Sequence, residues 1–329
     1  MNFEQLITPY NSHHTLPGKK VVVLAPHPDD EVFGCGGTLN QMANAGADIT
    51  VLIVTDGVLR SEHTHQNTPA AIAEFKAQAK KRHDESIKAA KTLNYPAPIF
   101  LGLQDGELLQ NGNLANDIKK HLANTPYDLL LAPSIWEMHR DHRAVAQAAL
   151  TLIKEAPHNC QLAFYEVGVP LLPNYMVDIS NSQPQKNEAM QHFQSQLTTQ
   201  AYADQIRGLN RFRSYTLGPD VTTAEAFHLV SNSHTTLFAT LHAPSQCTLA
   251  LIEAEQTIQN LKARPAEVSS MTRQPKKHKE DKTEIEALRK ALIQAQQHTT
   301  ALQNTLSWRI TAPLRALKIL YRHLNYSEK

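Results

Sequence analysis

The 329-residue chain has little of what marks several protein classes. Its three cysteines, Cys35, Cys160 and Cys247, are scattered and odd in number. They form neither a zinc-finger spacing nor a disulfide framework, so a reducing compartment is the simpler expectation. Net charge is only +1, which offers no general attraction for nucleic acid or acidic partners. No apolar run approaches the ~20 residues of a membrane span. The first residues, MNFEQLITPYNSHH, lack the basic start and apolar core of a signal peptide. A cytoplasmic location is therefore expected. Hydrophobic content of 41% suffices for a sizeable core. The length suits one large domain or two small ones, at about 150 residues per domain.

One stretch organises the rest: residues 20–46, KVVVLAPHPDDEVFGCGGTLNQMANAG. Val21 to Leu24 form a short, continuous, largely β-branched apolar run, the pattern of a strand buried on both faces. The run stops at Pro26-His27-Pro28, where two prolines stiffen the turn that carries the imidazole. Asp29, Asp30 and Glu31 then open a predicted helix, whose N-terminal end favours negative charge. Gly46 is its natural stop. A strand, a polar turn and a helix in this order place ligands beyond the carboxyl end of a parallel strand. One imidazole and three carboxylates within five residues suit a divalent metal such as zinc. With 17 histidines in the chain a lone one means little, and the competing reading is a capped helix with a chance histidine.

Further along, strands are predicted at 49–54, 98–101, 128–132 and 161–167. Helices are predicted at 70–94, 113–123 and 143–156, and one long polar helix at 185–212. Residues 58–68 read as a loop over the site, and 223–231 closes the globular part. Strand and helix in alternation argue an α/β fold, a mostly parallel sheet with helices on both faces. A second polar turn, His139-Arg140-Asp141-His142, follows the strand at 128–132. His139 and His142 share a side if that turn is helical. One of them could complete a metal site begun by His27 and a carboxylate. Two histidines and one aspartate leave the fourth corner of a zinc site open, as in catalytic rather than structural centres. An unligated carboxylate can then move a proton, and the remaining histidine can donate to an oxygen where charge develops.

PHPDDE after an apolar strand, with H-x-D-H about a hundred residues on, resembles the LmbE-like or PIG-L-like zinc N-deacetylases. The resemblance spans about residues 19–232 and implies a Rossmann-like three-layer αβα domain. It implies His27, Asp30 and His142 as ligands of Zn2+, Asp29 as general base and a protonated His139 beside the carbonyl oxygen. Asp141 is implied behind His139 or His142. Arg82, in Arg82-x-x-Glu85, falls where the family keeps an arginine near the sugar, and Asp105 where it keeps a carboxylate near a sugar hydroxyl. The competing readings are a surface ion pair of Arg82 with Glu85 and a plain Asp105-Gly106 turn. The implied substrate is an N-acetylated sugar or glycolipid of the N-acetylglucosamine type, in bacterial cell-surface polysaccharide or glycolipid synthesis. An amidase acting on another N-acyl conjugate, and a non-catalytic scaffold for glycan-assembly enzymes, are the alternatives.

The expected organisation is a deacetylase domain at 1–244, a helix and flexible basic linker at 245–283, and a helical tail at 284–329. Ile285, Leu288, Leu292, Ala295, Thr299, Leu302 and Leu306 alternate by three and four, the seam of a coiled coil or of an amphipathic helix. The closing SWRITAPLRALKILYRHLNY sets Arg309, Arg315, Lys318 and Arg322 among helically spaced leucines. That face suits a peripheral contact with the inner membrane, a partner helix, a second copy of the chain, or packing on its own domain. Strings like SWRITAPLR also end many bacterial glycosyltransferases.

Overall fold

The computed structural model describes residues 11–58, 68–156 and 160–231. The expected loop over the site (all but its first and last residues), the linker and the tail lie outside the described residues. In chain order the elements are β1 (Ser12–His13), β2 (Lys20–Ala25), α1 (Asp30–Asn44), β3 (Asp48–Thr55), α2 (Pro69–Thr92), β4 (Ile99–Leu103), α3 (Leu114–His121) and β5 (Leu129–Pro133). They continue with α4 (Arg140–Glu155), β6 (Gln161–Tyr165), β7 (Tyr175–Asp178), α5 (Gln183–Met190), α6 (Gln194–Leu197), α7 (Tyr202–Arg213) and β8 (Ala224–Ser231).

Among the described residues the strands form one eight-stranded sheet in the order β1-β7-β8-β6-β5-β2-β3-β4. It is mostly parallel, with β8 antiparallel to both β6 and β7. β2 is central, with Val21, Val22 and Val23 opposite Leu129, Leu130 and Leu131 of β5, and Lys20 to Ala25 in register with Asp48 to Ile53 of β3. Alternation along β2 explains the unbroken apolar run. Val22 and Leu24 pack with Val145, Ile153 and Ile118 of α4 and α3 on one face. Val21, Val23 and Ala25 pack with Leu39, Phe33 and Met190 of α1 and α5 on the other. Each fully buried Val or Leu is worth about 1.5–3 kcal/mol, so both faces hold this strand. The result is the expected three-layer α/β fold.

The chain runs outward from β2 through β3 to β4, then returns to the far side of β2 for β5 and β6. That reversal opens a crevice beyond the carboxyl ends of β2 and β5, where open α/β sheets bind ligands. α1 must approach β6 closely for this to happen. A Cβ on Gly34 would come within 2.7 Å of Tyr165 Cε2, so only glycine fits. Tyr165 in turn donates its hydroxyl to the Leu24 carbonyl at 2.8 Å, beside the end of β2.

Some element boundaries differ from the sequence reading. The long helix expected at 185–212 is three helices, because Phe193 turns into the core against Phe33 and Glu85 grips the backbone and hydroxyl of Ser195. Thr198 and Thr199, poor helix formers, sit at the second break. α4 begins at Arg140 rather than 143, since His139 is its N-cap and accepts the Asp141 N–H on Nδ1 at 3.3 Å. α2 ends at Thr92, and Asn94 takes a left-handed φ of 64° just beyond it. α3 starts after Asn113, whose side chain makes no capping bond. β4 extends to Leu103. Among the described residues, no helix is long and apolar enough to cross a membrane.

Candidate active site

The turn after β2 is fixed from two sides. Thr55 donates both its backbone N–H, at 2.9 Å, and its hydroxyl, at 2.8 Å, to the Pro26 carbonyl. The His27 N–H donates to Asp30 Oδ2 at 2.9 Å, closing the turn on its own carboxylate. Asp29, between them, has φ 153°, a conformation that costs an L-residue about 1–3 kcal/mol.

The two polar turns meet in space. His27 Nδ1 lies 3.1 Å from Asp30 Oδ2, His142 Nε2 lies 3.2 Å from the same oxygen, and the two nitrogens are 3.3 Å apart. All three side chains are buried. A tetrahedral site with bonds of about 2.0–2.1 Å has edges near 3.3 Å, so this triangle of two imidazoles and one carboxylate fits a divalent cation. His139 stands over it, edge-on to His27 with ring centroids 4.7 Å apart.

Charge shapes each group. Burial opposes a proton on His27, yet Asp105, Asp141 and Asp30 together hold its pKa well above the usual value. Burial likewise opposes a proton on His142, and Asp30 with Glu137 raises it to about 9. Asp30 is held well below the carboxylate range against its burial, chiefly by His142 and His27. Protons and a cation compete for the same lone pairs here, so metal binding releases protons. Burial raises the Asp29 carboxyl to about 7, although the Arg82 guanidinium pulls it down. Burial, then the charges on His27 and His142, lower the pKa of His139. This direction runs against the protonated His139 expected above. With Nδ1 accepting from Asp141 N–H, a neutral His139 carries its proton on Nε2 and can still donate it.

For Arg82 and Asp105 the structure overturns the competing readings, and it places Asp141 elsewhere than expected. Arg82 does not pair with Glu85 on the surface; both are buried. Arg82 Nη2 donates to Asp29 Oδ2 at 2.9 Å and to the Pro28 carbonyl at 3.3 Å, and Nη1 donates to the Gly57 carbonyl. Ala79, Ser86, Ala89 and Ala90 mark the buried stripe of α2 on which Arg82 lies, a periodicity visible in the sequence. Asp105 is more than a turn residue, since its Oδ1 lies 3.1 Å from His27 Nε2. The Asp141 carboxylate faces His27 Nε2 at 3.5 Å, not His139 or His142, and accepts the Gly106 and Leu108 N–H groups at 2.6 and 3.1 Å. Two acids on Nε2 hold a proton there and leave Nδ1 free to face the triangle. Glu137, to which the sequence reading gave no role, is buried next to His142 Nδ1.

Gly57 makes the Arg82 contact possible. Its φ is +65°, and an added Cβ would lie 2.6 Å from both Arg82 Cζ and Pro28 Cδ. Gly57→Ala should therefore destabilise the chain by about 2–4 kcal/mol and lower turnover by moving the guanidinium off Asp29. Urea unfolding with steady-state kinetics checks this; wild-type values for both would refute the account of the contact.

Several known proteins resemble this chain. A family model for GlcNAc-PI de-N-acetylase, PIG-L, matches residues 22–153, which span β2 to α4 and hold both turns. Diacetylchitobiose deacetylase of Thermococcus kodakarensis is 29% identical over 197 residues, 54% of this chain and 70% of that protein. A probable N-acetyl-alpha-D-glucosaminyl L-malate deacetylase 2 of Bacillus anthracis is 26% identical over 195 residues, 55% of this chain and 83% of that protein. The solved structure of N,N'-diacetylchitobiose deacetylase from Pyrococcus horikoshii has the same fold, with TM-score 0.55 at 24% identity over 66% of this chain and 85% of that one. With both turns inside the matched segment and the donor triangle between them, residues 22–153 carry a domain of the PIG-L family, the LmbE-like N-deacetylases.

Proposed function

We propose that the protein is a zinc-dependent hydrolase that removes acetyl from an N-acetyl amino sugar of the N-acetylglucosamine type, in bacterial cell-surface polysaccharide or glycolipid synthesis. The observation that carries this reading is the His27–Asp30–His142 triangle with edges of 3.1, 3.2 and 3.3 Å. In this reading those three residues hold the ion. When bound, zinc supplies Lewis acidity to the amide carbonyl and acidifies water. Asp29 takes a proton from the attacking water and returns it to the leaving amine nitrogen. Arg82 orients the Asp29 carboxylate. His139 donates a hydrogen bond to the carbonyl oxygen as it gains charge. Asp141 and Asp105 keep the His27 proton on Nε2, and Asp105 keeps an oxygen in reach of a sugar hydroxyl. The relatives named above, a diacetylchitobiose deacetylase and a probable N-acetyl-alpha-D-glucosaminyl L-malate deacetylase, support the sugar class. The segment 284–329 would make any membrane or partner-helix contact.

Metal analysis with acetate release tests the reading. About one zinc per chain is expected. Acetate should be released from N-acetylglucosaminyl oligosaccharides, nucleotide-linked sugars or lipid-linked sugars. Chelation should abolish it and added zinc restore it. Turnover of non-sugar N-acyl conjugates alone would shift the reading to a different amidase. Turnover indifferent to chelation would refute the metal site.

A further inference from the structure

Glu137 lies in the turn after β5, two residues before His139, and is 1% exposed. Its Oε1 accepts three successive backbone N–H groups from the loop after β6: Val167 at 2.8 Å, Gly168 at 3.1 Å and Val169 at 3.3 Å. Oε2 also accepts from Gly168, at 3.1 Å. These bonds leave Oε2 aimed at His142, 3.6 Å from Nδ1. That Nδ1 is buried and has no hydrogen-bond partner among the described residues. A separation of 3.6 Å is just beyond a hydrogen bond, and a small ring rotation closes it.

An imidazole presents one lone pair when neutral, and the partner of one nitrogen decides which nitrogen carries the proton. An anionic acceptor beside Nδ1 draws the proton there. Nε2, which faces Asp30 Oδ2 at 3.2 Å, is then left as a donor of electrons to a cation. We propose that Glu137 is a positioning residue that fixes His142 in the Nδ1–H tautomer and thereby sets the zinc affinity of the site. It does so from a carboxylate anchored by the loop at 167–169, so this loop and the metal site share one rigid contact. The proposal rests on the reading of His142 as a ligand.

Glu137→Gln separates the tautomer role from simple loss of packing. The amide oxygen can still accept the loop N–H groups. The amide nitrogen, turned toward His142, donates where the carboxylate accepted, and drives the imidazole proton onto Nε2. Zinc affinity of the full chain, measured by competition with a chromophoric chelator, should fall about 10–100-fold. The thermal midpoint measured in excess chelator should stay near that of the wild type. Histidine nitrogen NMR of the zinc-loaded wild type should show the His142 proton on Nδ1. A proton on Nε2 instead would overturn the proposal even if the variant failed to fold. His142→Ala is the control for the underlying reading. If it binds zinc as tightly as wild type, both the ligand assignment and this proposal fall. If it loses zinc while a folded Glu137→Gln does not, the role of Glu137 alone is overturned.

Discussion

Asp29→Asn is expected to lower kcat about 10²–10⁴-fold while zinc remains bound. Asparagine is the informative choice. It keeps an oxygen for the Arg82 Nη2 hydrogen bond of 2.9 Å, whereas alanine would leave a buried guanidinium without its acid. It also matches aspartate in size, so it adds no new clash at a backbone position already strained at φ 153°. What it loses is the capacity to accept a proton. Asp29 is not a corner of the donor triangle, so its charge is not needed to hold the ion. Burial sets the wild-type carboxyl at about 7 against the pull of Arg82, and a bound cation lowers it further. A general base must be deprotonated, so wild-type turnover should rise with pH through this carboxyl's pKa on the acid side of neutrality. That limb should vanish in the variant. Metal analysis and a pH–rate profile check both parts. If the Asp29→Asn variant sheds its zinc, Asp29 is a ligand and Asp30 the candidate base.

The largest stability effect should come from the buried pair beneath α1. Lys186 Nζ lies 2.6 Å from Glu225 Oε1, and both side chains are fully buried. Glu225 also accepts the Gly37 N–H at 2.9 Å and the Thr38 N–H at 2.8 Å. Those donors are free because α1 is interrupted at Cys35, with φ −141° and ψ 19°. The carboxylate from β8 thus caps the second half of a broken helix, and the lysine from α5 neutralises it. Removing one member of such a pair strands a charge in the core, so Lys186→Met should cost about 3–5 kcal/mol of unfolding free energy. Combining it with Glu225→Gln should recover most of that loss, because an amide oxygen still serves Gly37 or Thr38 and no charge remains. Urea unfolding of the single and double variants tests this. A single variant within about 1 kcal/mol of wild type would show that water reaches the pair.

Much of the domain was readable along the chain. The run Val21–Leu24, the turn chemistry of Pro26–Glu31 and the alternation of strand and helix are local patterns, and local patterns survive in a linear sequence. Both polar turns were legible for the same reason, being acid and imidazole clusters at strand ends. The break-up of 185–212 was not, because it depends on Phe193 meeting Phe33 and on Glu85 meeting Ser195, a residue 110 positions away. Arg82 was legible as a candidate, yet its partner was not, since nothing near position 82 in sequence names Asp29.

Spacing within a few residues is enough to name the central strands and their helices, the layered α/β class and the groups that can bind a cation, but not the edge strands β1 and β7. The pairing of β2 with β5, the triangle that His142 closes with His27 and Asp30, and the choice of acid behind each imidazole come from the folded chain. Contacts such as His142 with His27, 115 positions apart, or Glu225 with Gly37, 188 apart, leave no periodic trace in a chain. They exist only once the sheet order brings distant segments side by side.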